Sequence, residues 1–113
     1  MIFIEALLGG DHLFYTYIVS CRDGSLYTGY TTDIKRRIEE HKKGVNSKYT
    51  RAKGFSELKV LFQSSSKSKA MKLEYSIKQL DRNKKLMLIE DPELLKKYLE
   101  GSLEYTICDI NNI

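Results

Sequence analysis

Tyr15-Thr16-Tyr17-Ile18-Val19 is separated from Leu26-Tyr27-Thr28-Gly29-Tyr30 by a turn signal, Arg22-Asp23-Gly24-Ser25. β-Branched and aromatic residues favour strands, and Asp-Gly tolerates the positive φ that a tight turn needs. The sequence therefore predicts an antiparallel hairpin with strands over residues 14–20 and 26–31. A cross-strand tyrosine pair is by itself an ordinary way to stabilise such a hairpin.

Capping signals and apolar spacing predict the elements that follow the hairpin. Asp33 is a good N-cap and Gly44 a good stop, so a helix is expected between them with Ile34 and Ile38 on its buried side. The further predicted elements are a basic loop with one helical turn near 47–51, a strand over 58–62, helices over 67–80 and 84–89, a helix opened by Asp91-Pro92 and ended by Gly101, and a segment at 103–108 that can add a strand. This order is that of a small α+β domain with helices packed on a mostly antiparallel sheet.

The composition bounds the class of protein. The chain has 113 residues, of which 42% are apolar and 30% charged, and this fits one globular domain with a single core. Cys21 and Cys108 have no metal-site spacing, so they are interpreted as reduced thiols, although a pairing between them stays open. No stretch is long enough to span a bilayer, and residues 1–13 are interpreted as an N-terminal extension that makes a poor signal peptide. We therefore expect a cytoplasmic protein without a membrane partner.

The charges of the chain are segregated. Residues 35–53 carry eight basic and two acidic side chains, residues 67–85 carry seven and two, and residues 90–113 carry two and six. The basic middle favours a polyanionic partner, because neutralising phosphates releases counterions. A solvated lysine-rich surface explains the charge equally well when the charge is considered alone.

Four other positions are candidates for chemistry. Gly29 weakens a strand interior, which indicates a bulge or the close approach of a backbone or ligand. Arg37 and His41 are one helical turn apart, and Arg37 lies at the margin of the buried side, from which a guanidinium can reach a phosphate. Glu74 lies at the edge of a later apolar face, where a carboxylate can bind a hard divalent cation or form a salt bridge with Lys78. Each position alone also has an ordinary structural explanation.

Taken together, the order and spacing of these residues resemble the GIY-YIG nuclease superfamily, and most closely its small stand-alone single-domain members. The residues that carry the resemblance are Tyr17, Tyr27-Thr28-Gly29, Arg37, His41 and Glu74, together with Lys48-Tyr49-Thr50-Arg51. Only the tyrosine of the first motif is matched, and no polar ligand beyond the glutamate helix can be assigned. The resemblance covers residues 14–89 as the nuclease-like domain, and we expect the acidic helix and tail over 90–113 to pack on it.

The resemblance implies a three-stranded antiparallel sheet flanked by helices, and an endonuclease that hydrolyses DNA phosphodiester bonds with one divalent cation, Mg²⁺ or Mn²⁺. It implies that Glu74 is the metal ligand and that Arg37 stabilises charge on the phosphoryl oxygens. It also implies that Tyr27 helps to deprotonate the attacking water while Tyr17 positions that water, with His41 one turn beyond the arginine. A free phenol has a pKa near ~10, so the base role needs help from the cation or from Arg37.

The expected partner is DNA, with structure-specific DNA of repair or recombination as the substrate expected by analogy. The residues expected to contact DNA are Gly29, Lys35, Arg36, Lys48, Arg51 and Lys53. Two alternatives stay open. The chain is a non-cleaving DNA-binding module or nuclease partner that keeps the fold, or the acidic tail has an interaction role and shields the basic surface. In the second case, deleting the residues after Gly101 strengthens DNA binding at low salt.

Overall fold

In the computed structural model, which describes residues 13–99, 101 and 103–113, the two tyrosine segments form the predicted hairpin. Strand β1 covers Phe14–Cys21 and strand β2 covers Leu26–Thr31. Gly24 adopts a φ of 85° in the turn, and the Asp23 carboxylate accepts a hydrogen bond from the backbone N–H of Ser25. The turn chemistry read from Asp-Gly is therefore the chemistry that closes the hairpin.

Within the described residues the sheet has four strands, so the three-stranded sheet implied by the resemblance is corrected. Strand β3, Phe55–Ser64, pairs antiparallel with β1, and strand β4, Thr106–Ile107, pairs antiparallel with the end of β3. The strand order is β2-β1-β3-β4. Strand β4 falls in the segment that the sequence allowed as an added strand. Its two residues become a strand only through pairing with β3, which local propensity does not report.

The helices follow their capping residues. They are α1 Ile34–Lys43, α2 Lys48–Lys53, α3 Lys67–Lys78, α4 Arg82–Glu90 and α5 Leu95–Tyr98, with 3₁₀ turns at Pro92–Leu94 and Ile110–Asn112. Asp33, Ser47, Ser66 and Asp81 each accept a hydrogen bond from a backbone N–H in the first turn of the helix that they precede. Several bounds differ from prediction. The helical turn near 47–51 is a capped helix, α3 ends two residues earlier, and the last helix ends at Tyr98 rather than at Gly101. The helix predicted over 84–89 covers Arg82–Glu90, and the strand predicted over 58–62 covers Phe55–Ser64.

Both faces of the sheet are covered. On the first face, Ile18 packs with Leu73 and Ile77 of α3 in a core that also includes Val60, Phe62, Leu88 and Leu95. On the opposite face, the buried cluster consists of Tyr17, Val19, Ile34 and Leu61. Because alternate strand residues face opposite sides, Tyr17 points towards α1 while its neighbour Ile18 points towards α3.

The cysteines, the helix lengths and the N-terminal segment bear on the class of protein. Cys21 and Cys108 are free thiols, as predicted. None of the helices in the described ranges is long and apolar enough to cross a membrane. Except for Leu13, the predicted N-terminal extension lies outside the described residues.

Candidate active site

Tyr17 is the centre of the candidate site. Its side chain is fully buried, and its hydroxyl oxygen accepts a hydrogen bond of 3.1 Å from Arg37 Nε. The Nε2 atom of His41 lies 2.7 Å from the same oxygen. Arg37 and His41 reach it together because they are one turn apart on α1, on the side that faces β1. The structure thus joins three of the predicted site residues in one hydrogen-bonded cluster.

Burial controls the ionisation of Tyr17. It raises the pKa of the phenol to about 12; the charge and hydrogen bond of Arg37 oppose the rise, and Tyr27 and Glu74 add to it. At neutral pH the phenol therefore keeps its proton, and its O–H needs an acceptor. Among the described residues, His41 Nε2 is the acceptor within reach. A neutral imidazole that accepts at Nε2 carries its proton at Nδ1.

Thr50 is the other partner of His41, and the sequence analysis did not single it out as a site residue. The Nδ1 atom of His41 lies 2.9 Å from Thr50 Oγ1, so the Nδ1–H donates to this hydroxyl. Burial, followed by the charge of Arg37, lowers the pKa of His41 to about 4. The imidazole is therefore neutral at physiological pH. It is also buried, with only 1% of its surface exposed. His41 positions Tyr17 and is not itself accessible to a substrate.

Glu40 orients Arg37 and was also missed. Arg37 Nη1 donates to Glu40 Oε1 at 3.2 Å, while Asn46 Nδ2 donates to Glu40 Oε2 at 2.9 Å. The hydrogen bonds from Asn46 and Arg37 lower the pKa of Glu40. The spacing of Arg37 and Glu40 on one helix was a usable signal. The Asn46 contact was not, because it depends on a positive φ of 58° at Asn46.

Tyr27 and Tyr49 extend the cluster towards the surface. Tyr17 pairs with Gly29 and Val19 pairs with Tyr27 across the hairpin, so the two tyrosines are diagonal neighbours, with ring centroids 6.4 Å apart. The Tyr27 ring also lies 5.4 Å from that of His41 and 5.6 Å from that of Tyr49. Tyr27 is only partly buried. It is therefore the phenol of the predicted pair with access to solvent.

Gly29 makes room for Tyr17. A Cβ atom at position 29 would lie 2.4 Å from the Tyr17 hydroxyl oxygen and 2.5 Å from its Cζ atom. The β1–β2 register is unbroken at this pair, so Gly29 does not form a bulge. The close approach that the sequence indicated is thus the approach of a side chain within the protein. A contact between Gly29 and DNA stays a prediction.

Replacing Gly29 by alanine is expected to destabilise the fold by about 1–3 kcal/mol, because the added methyl overpacks a fully buried ring. Urea denaturation followed by circular dichroism measures this loss. The same change in a Tyr17→Ala background should cost less, since the colliding ring is absent and the two positions are coupled. An equal cost in both backgrounds contradicts the proposed steric role of Gly29.

Glu74 is on α3, which packs on the sheet face opposite to that of Tyr17. Its charge acts on the Tyr17 phenol, and α3, which carries it, packs against β1 and β2. The Glu74 side chain is 18% exposed, and its Oε2 atom lies 3.3 Å from Lys78 Nζ. The salt bridge considered from spacing is therefore present. No group of three or more His, Cys, Asp or Glu side chains with metal-binding proximity occurs in the described residues. A single carboxylate is compatible with Mg²⁺, which commonly keeps several waters and uses one or two carboxylates plus a substrate phosphate.

The predicted DNA-contacting cations are on α1 and α2. The described surface exposes Lys35, Arg36, Lys48, Arg51 and Lys53. Lys53 Nζ lies 3.5 Å from Asp23 Oδ2, and the Arg51 side chain lies against Gly44. Arg51 also lines, with His41 and Thr50, a cavity of about 210 Å³ between α1 and α2. Arg51 is thus the one of these cations that lies beside His41, and the binding of all five to DNA stays a prediction.

The buried Tyr17 and His41 predict that the free energy of unfolding falls at both acid and alkaline pH. His41 has a pKa of about 4 against 6.5 in its ordinary state, so the unfolded chain binds more protons between these values. Stability is then lost as the pH falls from 6.5 to 4. Tyr17 has a pKa of about 12 against 10.0, so stability is lost as the pH rises from 10 to 12. Each loss is expected to reach about 3 kcal/mol.

Urea unfolding across pH 3.5–11.5 tests this profile against two controls. The loss of stability below pH 6.5 should be smaller in His41→Gln, and the loss above pH 10 should be smaller in Tyr17→Phe. Parent and variant curves of the same shape would contradict the assignment of the two groups.

The sequence of this chain matches one family model and several known proteins. The model of the GIY-YIG catalytic domain matches residues 13–87. A UPF0213 protein of Halalkalibacterium halodurans is 49% identical over 66% of this chain and 80% of its own length. One from Oceanobacillus iheyensis is 48% identical over 74% of this chain and 96% of its own length, and one from Natronomonas pharaonis is 46% identical over 74% and 96%.

The first of these relatives has a solution NMR structure, given under the organism name Bacillus halodurans. That structure is 42% identical, covers 80% of this chain and 99% of its own, and has a TM-score of 0.46. The names of these relatives state no activity. The family match covers well over half of the chain, and the relatives are aligned over most of their lengths. The chain therefore belongs to the GIY-YIG family and, within it, to the UPF0213 proteins.

Proposed function

We propose that this protein is a divalent-metal-dependent endonuclease that hydrolyses DNA phosphodiester bonds. The observation that carries the proposal is that Arg37 Nε donates to the Tyr17 hydroxyl at 3.1 Å, with the partly exposed Tyr27 ring beside it. A guanidinium fixed beside two phenols, in a chain that matches the GIY-YIG catalytic domain, suits phosphoryl chemistry better than sheet packing alone.

Arg37 is the electrostatic group of the proposed mechanism. Its Nε and Nη1 atoms are bonded to Tyr17 and Glu40, so its orientation is fixed before a substrate arrives. Fixed donors stabilise charge that develops on phosphoryl oxygens without reorganising during the reaction. Its remaining N–H groups are the ones that would bind the scissile phosphate.

Tyr27 is the phenol that we assign to the attacking water. Tyr17 is fully buried, and its high pKa keeps its proton in place. Tyr27 lies beside it at the partly exposed edge of the cluster. A proton acceptor must reach the water from which it takes a proton, and of the two phenols Tyr27 is the more exposed. It would take that proton as the phenolate, after its own proton has passed to solvent with help from the cation or from Arg37. Tyr17 then holds Arg37 and the neighbouring ring in position.

Glu74 would hold the cation. When bound there, Mg²⁺ or Mn²⁺ would supply Lewis-acid stabilisation of the phosphate and lower the pKa of a bound water. Lys78 contacts the same carboxylate and would have to yield part of it. That contact is the observation favouring a second candidate function, a DNA-binding module or nuclease partner in which Lys78 keeps the carboxylate and no cleavage follows.

The test is cleavage of a panel of end-labelled DNAs with Mg²⁺ or Mn²⁺. The panel contains single strands, perfect duplexes, flaps and branched junctions. It does so because, by analogy, we propose structure-specific DNA of repair or recombination as the substrate. We propose that the protein acts on it in the cytoplasm. We expect metal-dependent internal cleavage of at least one substrate. A protein that is folded by circular dichroism, binds DNA and cuts nothing in the panel would favour the non-cleaving alternative.

A further inference from the structure

Tyr49 is the surface end of a series of aromatic rings that begins in the core. Its ring centroid lies 5.6 Å from that of Tyr27, with the two planes 32° apart, and Tyr27 lies 6.4 Å from the fully buried Tyr17. Tyr49 itself is 37% exposed. A large ring is thus left partly open to solvent directly beside the phenol that we assign to the attacking water.

Helix α2 holds Tyr49 in a fixed position. Ser47 caps the helix, the neighbouring Thr50 is buried and hydrogen-bonded to His41, and the backbone N–H of Gly54 donates to the Thr50 carbonyl at 2.8 Å. The helix is therefore tied to α1 through the same histidine that positions Tyr17. A ring that is already ordered loses little conformational entropy when a ligand packs on it.

The charges around Tyr49 suit a nucleic-acid strand. Lys48 and Arg51, on the same helix, are exposed, and no salt bridge to either occurs in the described part of the chain. Cations that follow the backbone, combined with an aromatic ring on which a base stacks, are the elements of single-strand binding. Tyr49 supplies the ring, and Lys48 and Arg51 supply the cations.

We propose that Tyr49 stacks on an unpaired base of the nucleotide next to the scissile phosphate, so that the site takes DNA that is locally single-stranded. The inference rests on the proposed function for the position of that phosphate. The 5.6 Å between the rings of Tyr27 and Tyr49 is less than two steps of a strand that rises about 3.4 Å per nucleotide. A base inside a duplex already stacks on its neighbours and offers no face to the ring. The requirement for an unpaired base follows.

The experiment measures binding without cleavage. Single-stranded oligonucleotides that carry one 2-aminopurine, and the duplexes made from them, are titrated with the whole protein in EDTA. Parent and Tyr49→Phe are expected to quench 2-aminopurine in the single strand, whereas Tyr49→Leu is expected to lose the quenching and about 5- to 150-fold in affinity. Tyr75→Leu is the matched control, because it removes a more exposed tyrosine, 67% exposed, from α3.

Each outcome of this experiment decides the proposal. Equal affinity and quenching for the parent and Tyr49→Leu would overturn it, as would loss of quenching in Tyr75→Leu instead. If Tyr49→Leu unfolds, the parent alone still decides it, since quenching that is equal in duplex and single strand removes the need for an unpaired base. Cleavage in Mg²⁺ is scored separately. Stacking without cleavage would leave the stacking of an unpaired base on Tyr49 standing, and would remove both the proposed function and the position of that base next to a scissile phosphate.

Discussion

Arg37→Met is expected to lower the rate of DNA cleavage by about 10²–10³-fold, the usual loss when one preorganised charge-stabilising donor is removed. Arg37 donates to the Tyr17 hydroxyl and is held by Glu40 on its other side, so water cannot easily take its place. Single-turnover cleavage measures the effect. Binding in EDTA should weaken only modestly, with the slope of log K against log salt falling by about one, as expected for a single lost phosphate contact.

Arg37→Lys is the matched control for charge. A lysine keeps the positive charge but has no Nε–H at the position that reaches Tyr17 and cannot form two parallel hydrogen bonds. We expect it to restore the salt slope and only a small part of the cleavage rate. Removing Arg37 also removes an influence that lowers the pKa of Tyr17, so the ultraviolet titration of the phenol should move upwards in Arg37→Met. Full activity in Arg37→Met would sink the electrostatic role.

The elements of this fold were predictable where the signal is local. Asp33 and the Asp-Gly turn act within a few residues of themselves, and each caps or turns the chain where expected. Strand β4 was not predictable in this way, since two residues carry no periodicity and pair with β3 across more than 40 positions. The early end of α3 has a similar origin, because Asp81 caps the following helix and interrupts the apolar pattern.

In the candidate site too, the contacts within one element were predictable and those between elements were not. The spacing of Arg37 and His41 on one helix predicted that they share a face, and both reach the Tyr17 hydroxyl. The spacing contained no information on Thr50, because its contact with His41 depends on how α2 folds back on α1. Gly29 was predicted to mark a bulge or the close approach of a backbone or ligand, and neither is found among the described residues. What approaches is the ring of Tyr17, which only the strand register determines.

Glu74→Gln is expected to abolish metal binding at the site and to lower cleavage by at least about 10²-fold, because a metal ion contributes several kcal/mol of transition-state stabilisation. Glutamine keeps the size and the hydrogen-bonding oxygen but not the charge. Mn²⁺ binding followed by electron paramagnetic resonance gives a readout that does not depend on turnover.

Lys78→Met tests the same carboxylate in the opposite direction. Lys78 Nζ lies 3.3 Å from Glu74 Oε2 and competes with a cation for it, whereas methionine has similar length and no charge. An exposed ion pair of this kind contributes up to about 1 kcal/mol, so Mn²⁺ affinity should rise by at most about fivefold in Lys78→Met. The same change should have no effect in a Glu74→Gln background. Unchanged Mn²⁺ binding in Glu74→Gln would show that the cation is held elsewhere, and the proposed division of roles between Glu74 and the tyrosines would then be abandoned.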